Sequence, residues 1–418
     1  MIPNLGNIKS SIISHKKIIE NYFFMTVLQV INSLFYILIY PYLIRVLGAE
    51  AYGLYIYALS VVTYFIYLIN FGFDLPGVKA VAQNALDRNK LEKIFASIFT
   101  AKLYLLCLSL IIFLILLFTV PFFMRNAVLF ILVYVQVVSH LLIPLWYYQG
   151  VQKMKRLTVI QLVFKLLSLP LIFYWVRSVK DLNIFAFINA LTLVLGGFFS
   201  FFAVVLFDGI KFKLAKSFEV WGWYKDAFPF FLSNSVGVIK EQSIILLIGV
   251  FFGMRDVAIY DLANKIVIIP RTLLMSINGA LFPKIITSAS RETVRKIIRW
   301  EFIIGVAVVG FIGISGRWIV NLLGGAEMSG AYPVAFILSM TVISWLVVGA
   351  YVSFVFIPNH KSYWVMQNQI VALLSLILFI IIGYALSVKI YILALGLAFS
   401  GIMEIFFCYF KTSKAKLL

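Results

Sequence analysis

The sequence predicts an all-α integral membrane protein with about 12 transmembrane helices in two pseudo-symmetric six-helix lobes. Three observations lead there. Of 418 residues, 63% are hydrophobic and 12% charged, with mean hydropathy +1.04; a soluble domain carries roughly 25% charge. Apolar runs near the roughly 20 residues that a spanning helix needs recur along the whole chain. They do not resemble the alternating segments of about ten residues that build a barrel. The third observation is an internal repeat. The stretch Tyr40 to Tyr55, YPYLIRVLGAEAYGLY, closes one apolar run and opens the next. A looser copy, FFGMRDVAIYDL, runs from Phe251 to Leu262. Gly253 then matches Gly48, Arg255 matches Glu50 and Tyr260 matches Tyr55.

Taken in order, the first twenty residues are polar, and no short apolar segment with a small-residue cleavage site follows, so no cleaved signal peptide is expected. The expected spans are 21–46, 51–73, 99–123, 127–149, 157–177 and 183–207, then 224–252, 256–281, 300–323, 332–356, 363–386 and 389–410. This gives an N-terminal lobe over 1–207, a cytoplasmic linker over 208–222 that holds Lys211, Lys213 and Lys216, and a C-terminal lobe over 223–418. Six helices per lobe is an even number, so both lobes insert the same way up, related by an axis along the membrane normal. The links Asp74–Ser97 and Pro283–Arg299 mix charge with apolar residues at helical spacing and fit interfacial amphipathic helices. QGVQKMK at 149–155 aligns loosely with IPNHKSY at 357–363, at the same shift.

Cation placement sets the orientation. With the N-terminus inside, 23 of the 35 Lys and Arg fall in cytoplasmic segments, Lys102 among them, and 7 on the opposite side. Both termini are therefore expected to be cytoplasmic. The net charge of +19 reflects this bias and attraction to anionic lipid rather than nucleic acid. Cys107 and Cys408 lie inside apolar runs with no metal-binding or redox spacing.

Five cations remain within or near the spans: Lys165, Lys225, Lys240, Lys265 and Arg271. Each costs about 2.5–3.5 kcal/mol at a helix centre, so most must face water, a partner or the bundle interior. On the seventh helix, Ser233, Asn234, Gly237, Lys240 and Glu241 share a face. On the eighth, Asn264, Arg271 and Asn278 do. Asp261 and Lys265 are an i,i+4 pair. Two interpretations are open. The charges can pair off as structural glue, Lys240 or Lys265 with Asp261 and Arg271 with Glu404. Alternatively they line a hydrated, net positive cavity for an anionic substrate, because cations outnumber the available anions. The first lobe repeats the pattern more weakly: Gln29, Asn32, Ser33, Tyr36 and Tyr40 on one helix, Ser60, Thr63, Tyr67, Asn70 and Asp74 on the next. Tyr67 is the deeper candidate, whereas tyrosines at span ends belong to the aromatic belt.

Several chemistries find no support. No GxxxxGK[ST] loop is present, His15, His140 and His360 form no cluster, and no loop is large enough for a catalytic domain. No metal or other cofactor and no enzymatic activity are expected.

Three stretches, YPYLIRVLGAEAYGLYIYA (40–58), INFGFDLPGVKAVAQ (69–83) and IPLWYYQGVQKMKRLTV (143–159), resemble bacterial polysaccharide repeat-unit flippases. These form the O-antigen translocase (Wzx) family of the multidrug/oligosaccharidyl-lipid/polysaccharide exporter superfamily. The resemblance covers nearly the whole chain. It implies a fold shared with multidrug exporters and lipid II flippases, in a bacterial inner membrane. It implies transport of undecaprenyl-pyrophosphate-linked oligosaccharide from the cytoplasmic to the periplasmic leaflet by alternating access, for O-antigen or capsule synthesis. A coupling H+ or Na+, and a polysaccharide polymerase and chain-length regulator as partners, follow from the same resemblance. Lys240, Lys265, Arg271, Asn234, Asn264 and Tyr67 would contact substrate. Arg45, Asp74, Glu241, Asp261 and Arg255 would gate or couple ions. An ion-coupled small-molecule exporter of the same fold is the first alternative; its organic cations would favour acidic cavity residues. A membrane enzyme of polysaccharide assembly, such as a polymerase, is the second; it would need a larger outer loop or a carboxylate cluster.

Overall fold

The computed structural model describes residues 5–288, 291–359, 361, 363–386 and 390–418, without the side chains of 5–19, 22, 33, 36, 233, 275–288 and 384–386. The side chains of Ser33, Tyr36, Ser233 and Asn278, and His360 altogether, therefore lie outside the described residues. The helices are α1 (Leu5–Asn70), α2 (Asp74–Gln83), α3 (Arg88–Thr119), α4 (Pro121–Arg125), α5 (Ala127–Leu142), α6 (Leu145–Gly150), α7 (Met154–Trp175), α8 (Leu182–Phe207), α9 (Ser217–Phe251), α10 (Met254–Ser288), α11 (Arg291–Gly324), α12 (Ala331–Tyr351), α13 (Tyr363–Leu386) and α14 (Ile390–Lys414).

Among the described residues, ten helices are long and apolar enough to cross a membrane. One of these stretches, Phe23–Gln83, covers 61 residues of α1 and α2 and takes in nearly all of the first two expected spans, separated where Gly48 leaves helical geometry at φ 74° and ψ 162°. The expected eighth span lies in α10, which is not among the ten; Asp261, Asn264, Lys265 and Arg271 interrupt its apolar character. Gly253, the counterpart of Gly48, also has a positive φ, 100°, at the turn between α9 and α10. Glycine is the residue that tolerates this geometry without a Cβ penalty. The two copies of the repeat therefore share the same kind of backbone break.

The two long links depart from expectation. Over 74–97 the chain forms the short α2, then a turn, and α3 is under way from Arg88, with the Asp87 carboxylate capping it by accepting from the Lys90 amide at 3.1 Å. Those bonds to Lys90 hold the Asp87 carboxyl below the ordinary carboxylate range. In the second half, among the described residues of 283–299, α10 continues to Ser288 and Arg291–Arg299 is the first part of α11. Val294 is buried there while Arg291, Arg295, Lys296 and Arg299 are exposed, so the amphipathic pattern from Arg291 onward is part of a helix of 34 residues. At 1.5 Å per residue it is about 51 Å long, longer than the roughly 30 Å apolar layer.

By contacts the chain divides into two compact units, Met1–Asn32 with Ala58–Ser235, and Ser33–Tyr57 with Val236–Leu418. In the first unit α8 packs against α5 and α7, and α3 against α5. In the second, α14 packs against α12 and α13, and α11 against α12. The same scheme appears twice, and in both the central helix loses regularity near its end: α5 stops before Ile143-Pro144, and α12 passes into a π-helical turn over Val352–Phe356. Residues 208–216, between α8 and α9, run along α3 in the first unit. Arg88 donates to the Gly209 carbonyl, the Lys211 amide to Glu92 at 3.1 Å and the Ala215 amide to Thr100 at 3.0 Å. Asp208 is almost fully buried and receives Lys153 at 2.6 Å, Arg156 at 2.9 Å and Tyr147 at 3.2 Å. The end of α6 is thereby tied to the end of α8.

Within the second unit the 33–57 segment lies close against α10. A Cβ on Gly53 would overlap the Met254 carbonyl, whereas one on Gly237 would meet nothing within 4 Å. Overpacking a well-filled site costs about 1–3 kcal/mol. Gly53→Ala is therefore expected to lower the unfolding midpoint of the purified protein by that equivalent, while Gly237→Ala lowers it not at all. Thermal unfolding followed by size-exclusion chromatography distinguishes the two.

Candidate functional site

The second unit holds a small pocket lined by four helices. α9 contributes Lys240, Glu241 and Gln242 to it, α10 Tyr260, Asn264 and Arg271, α12 Thr341, Ser344 and Trp345, and α14 Gly401 and Glu404. The three-, four- and seven-residue spacings of the α10, α12 and α14 sets follow from the helix period, whereas α9 contributes three consecutive residues. α12 and α14 approach closely at one point because Gly401 has no side chain: a Cβ there would overlap the Ser344 hydroxyl.

Two ion pairs of unlike quality share this pocket. Lys240 Nζ lies 2.6 Å from Glu404 Oε1, with both side chains no more than 10% exposed. The Asn368 amide of α13 lies 3.5 Å from the other oxygen of Glu404. The second pair is looser. Arg271 reaches a single oxygen, Glu241 Oε1, with both terminal nitrogens, at 3.5 and 3.4 Å. Its guanidinium sits 4.0 Å from the centroid of the Trp345 ring, a stacking contact that suits the flat, weakly hydrated cation. Arg271 is 13% exposed and Glu241 42%. Two cations and two carboxylates therefore balance in the pocket, and Arg271 has Glu241 rather than Glu404 as counterion.

Lys265 lies elsewhere in the unit. It bonds Asp261, one turn before it on α10, and the Tyr52 hydroxyl at 2.7 Å; that hydroxyl also stands 3.0 Å from Asp261. The rings of Tyr40 and Tyr52 each lie 5.3 Å from the ammonium. Tyr40 further donates to the Ala258 carbonyl at 3.4 Å. These contacts bind residues 33–57 to α10 and neutralise Lys265 and Asp261 together.

The remaining candidates are spread more widely. Asn264 lines the pocket, but Asn234 is exposed and does not. Tyr67 is 38% exposed, in the first unit. Arg45 is exposed. Arg255 is exposed and reaches the Glu327 carbonyl at 3.4 Å. Asp74 opens α2. Lys165 donates to Asn32 at 2.6 Å, and Lys225 is exposed. Lys102 corrects the cation count: it is 3% exposed inside α3 and donates to Asn70 at 3.0 Å and the His140 carbonyl at 3.2 Å, with Asp74 in electrostatic reach. It belongs with the buried cations, because α3 starts eleven residues earlier than the span drawn from hydropathy. Trp345, Asn368 and Tyr52 also escaped the sequence. The run of amides Gln367, Asn368 and Gln369 in an apolar helix was a legible sign; a tryptophan in such a helix is not.

Removing one partner of a buried ion pair strands the other, at about 3–5 kcal/mol, while apolar replacement of both is often neutral. Lys240→Met and Glu404→Leu are each expected to destabilise by that amount, and the double variant by much less. A double-mutant cycle on the thermal unfolding of the purified protein measures the coupling.

Comparison with known proteins places the chain. Residues 18–288 match the family described as polysaccharide biosynthesis protein. The "Putative O-antigen transporter" of Escherichia coli (strain K12) is 28% identical over 280 residues, 67% of each chain. The protein of that name from Shigella dysenteriae is 24% identical over 340 residues, 76% of this chain and 83% of its own. Among solved structures, an inward-facing multidrug-resistance MATE transporter of the MOP superfamily superposes with a TM-score of 0.68 at 15% identity, covering 91% of this chain and 95% of its own. Lipid II flippase MurJ in an inward closed conformation gives 0.64 at 13%, covering 94% and 86%. The likeness to these transporters is one of fold. With 271 of its 418 residues matched (18 through 288), the chain is a multi-pass membrane protein that belongs to the polysaccharide biosynthesis protein family.

Proposed function

We propose that the protein is a flippase. It carries undecaprenyl-pyrophosphate-linked oligosaccharide repeat units from the cytoplasmic to the periplasmic leaflet of the bacterial inner membrane, for O-antigen or a related surface polysaccharide. The family match, relatives named as O-antigen transporters and a fold like that of a lipid II flippase support this reading. The observation that carries it to a site is the pocket of the second unit, where Arg271, seated on Trp345, has only a long, one-oxygen contact to a carboxylate. A pyrophosphate offers several oxygens to such a fork, and charge-assisted bonds hold it firmly. Gln242, Asn264 and Thr341 beside it give a sugar hydroxyl donors and acceptors.

In this reading Lys240 keeps its buried partner and organises the pocket, and Asn264 contacts the glycan. Lys265, Asp261, Arg45, Arg255 and Asp74 serve gating rather than binding. Asn234 and Tyr67 act on the substrate's path outside the pocket. The moving lobes are 1–207, apart from the 33–57 segment that packs in the second unit, and 223–418, joined by 208–222, with both termini cytoplasmic. Alternating access coupled to H+ or Na+ supplies the drive. The chain catalyses no covalent step and hands its cargo to a polymerase and chain-length regulator.

Complementation tests this. In a strain lacking the gene, Arg271→Ala is expected to insert at the wild-type level and to restore less than a tenth, roughly, of the surface polysaccharide, since a transition-critical charge contact is worth over 1.4 kcal/mol. Arg125→Ala is expected to restore it fully. Normal polysaccharide with Arg271→Ala at native expression would remove the pocket from the transport path.

A further inference from the structure

We infer, building on the transport function proposed above, that Glu241 is a tethered counterion. It occupies the anion position of Arg271, and the anionic group of the substrate displaces it. The two ion pairs of the pocket point to this because they differ in ways that pairing alone does not require. Lys240–Glu404 is short and closed on both sides, with both side chains no more than 10% exposed. Arg271–Glu241 is long. Both guanidinium nitrogens converge on one oxygen, at 3.4 and 3.5 Å, in place of the parallel two-oxygen fork of a strong Arg–carboxylate pair. The burial is also uneven: Arg271 is 13% exposed and Glu241 42%. A partner that leaves must be the one with access to water, and that is the carboxylate.

Trp345 provides the second half of the device. Its ring, 4.0 Å from the guanidinium carbon, covers one face of Arg271 and holds the plane of the fork while counterions exchange. The donors of arginine lie in that plane, so a phosphate with two oxygens at the right spacing gives each terminal nitrogen an oxygen of its own, whereas Glu241 offers both the same one. Displaced, Glu241 swings toward solvent, to which its side chain is already 42% exposed. Arg271 is thus never left unpaired in a poorly solvated site. Glu241 also penalises weak ligands, since only an anion that outbids it gains the arginine, which is selectivity by built-in competition.

The test is titration calorimetry of the detergent-purified full chain with sodium pyrophosphate at two salt concentrations. Removing a tethered competitor is expected to tighten binding on the order of tenfold in Glu241→Gln, while Arg271→Gln binds at least tenfold more weakly, roughly, than wild type. Glu241→Ala repeats the measurement should the amide variant not survive purification. Unchanged or weaker binding in the Glu241 variants, with the loss in Arg271→Gln intact, overturns the counterion role and leaves the transport site standing. Absence of binding in the wild type and both Glu241 variants also overturns it, because removing the competitor must uncover Arg271. The polysaccharide assay of Arg271→Ala then judges the transport site separately. A parallel titration with glycerophosphoglycerol separates the sources of the anion. If Glu241→Gln gains only for that ligand, the displacing group is a phospholipid headgroup and not the substrate, and the assignment falls.

Discussion

A charge in an apolar layer must be matched where it stands, and much of this structure answers to that constraint. Lys240 finds Glu404, Lys265 finds Asp261 and Tyr52, Arg271 finds Glu241, and Lys102 finds an amide oxygen and a backbone carbonyl. Each match fixes the helices that carry it. The pair on α9 and α14 sets how those helices face each other, and Asn368 of α13 joins them through the second oxygen of Glu404. The Lys265 cluster makes residues 33–57 part of the second unit, through bonds between side chains 209 and 213 positions apart. A buried pair adds little net stability over an apolar one. Its consequence here is specificity: helices that are all apolar outside could pack in many ways, and unmatched charges reject most of them.

The helical spans were legible because hydropathy over about twenty residues reports directly on the membrane. The repeat was legible because a break with positive φ selects glycine, and Gly48 and Gly253 both mark one. Helix ends were less so. Hydropathy sees where the membrane begins, not where hydrogen bonding does, so α3 and α11 start before their apolar cores, and the expected interfacial helix over 283–299 falls on the end of α10 and the front of α11. Lys102 was misplaced for the same reason. The candidate cations Lys240, Lys265 and Arg271 could be found, since charge in an apolar run stands out. Their partners could not, because pairing depends on how α9, α10, α12 and α14 rotate against one another. Glu404 lies 164 residues from Lys240, and neither spacing nor composition links them.

Net charge along the sequence also proved a poor guide to charge at a site. Cations exceed anions by 19 over the chain, and the sequence suggested a positive cavity. The pocket instead holds two of each sign. The excess includes exposed residues such as Arg291, Arg295, Lys296 and Arg299 at the start of α11, the kind of position where cations are attracted to an anionic membrane surface. Local balance is what the dielectric demands; global imbalance is what insertion demands. The two sums answer different questions and need not agree.

A neutral resting pocket suits a carrier better than a positive one. An unpaired arginine in a poorly solvated site would be costly while empty and would hold its first anion too well to release it. Supplying the counterion from the protein lowers the cost of the empty state and weakens the loaded state by the same interaction, which narrows the difference between them. A transporter must pass through both at each cycle, so it gains from that narrowing even though an equilibrium binder would lose. The choice of partners follows. The pair that must persist, Lys240–Glu404, is short and closed to water; the one that must exchange, Arg271–Glu241, is long, one-sided and open on the carboxylate. Adjacent residues of α9, Lys240 and Glu241, thus take opposite parts in one pocket. The helix period turns one toward α14 and the other toward α10.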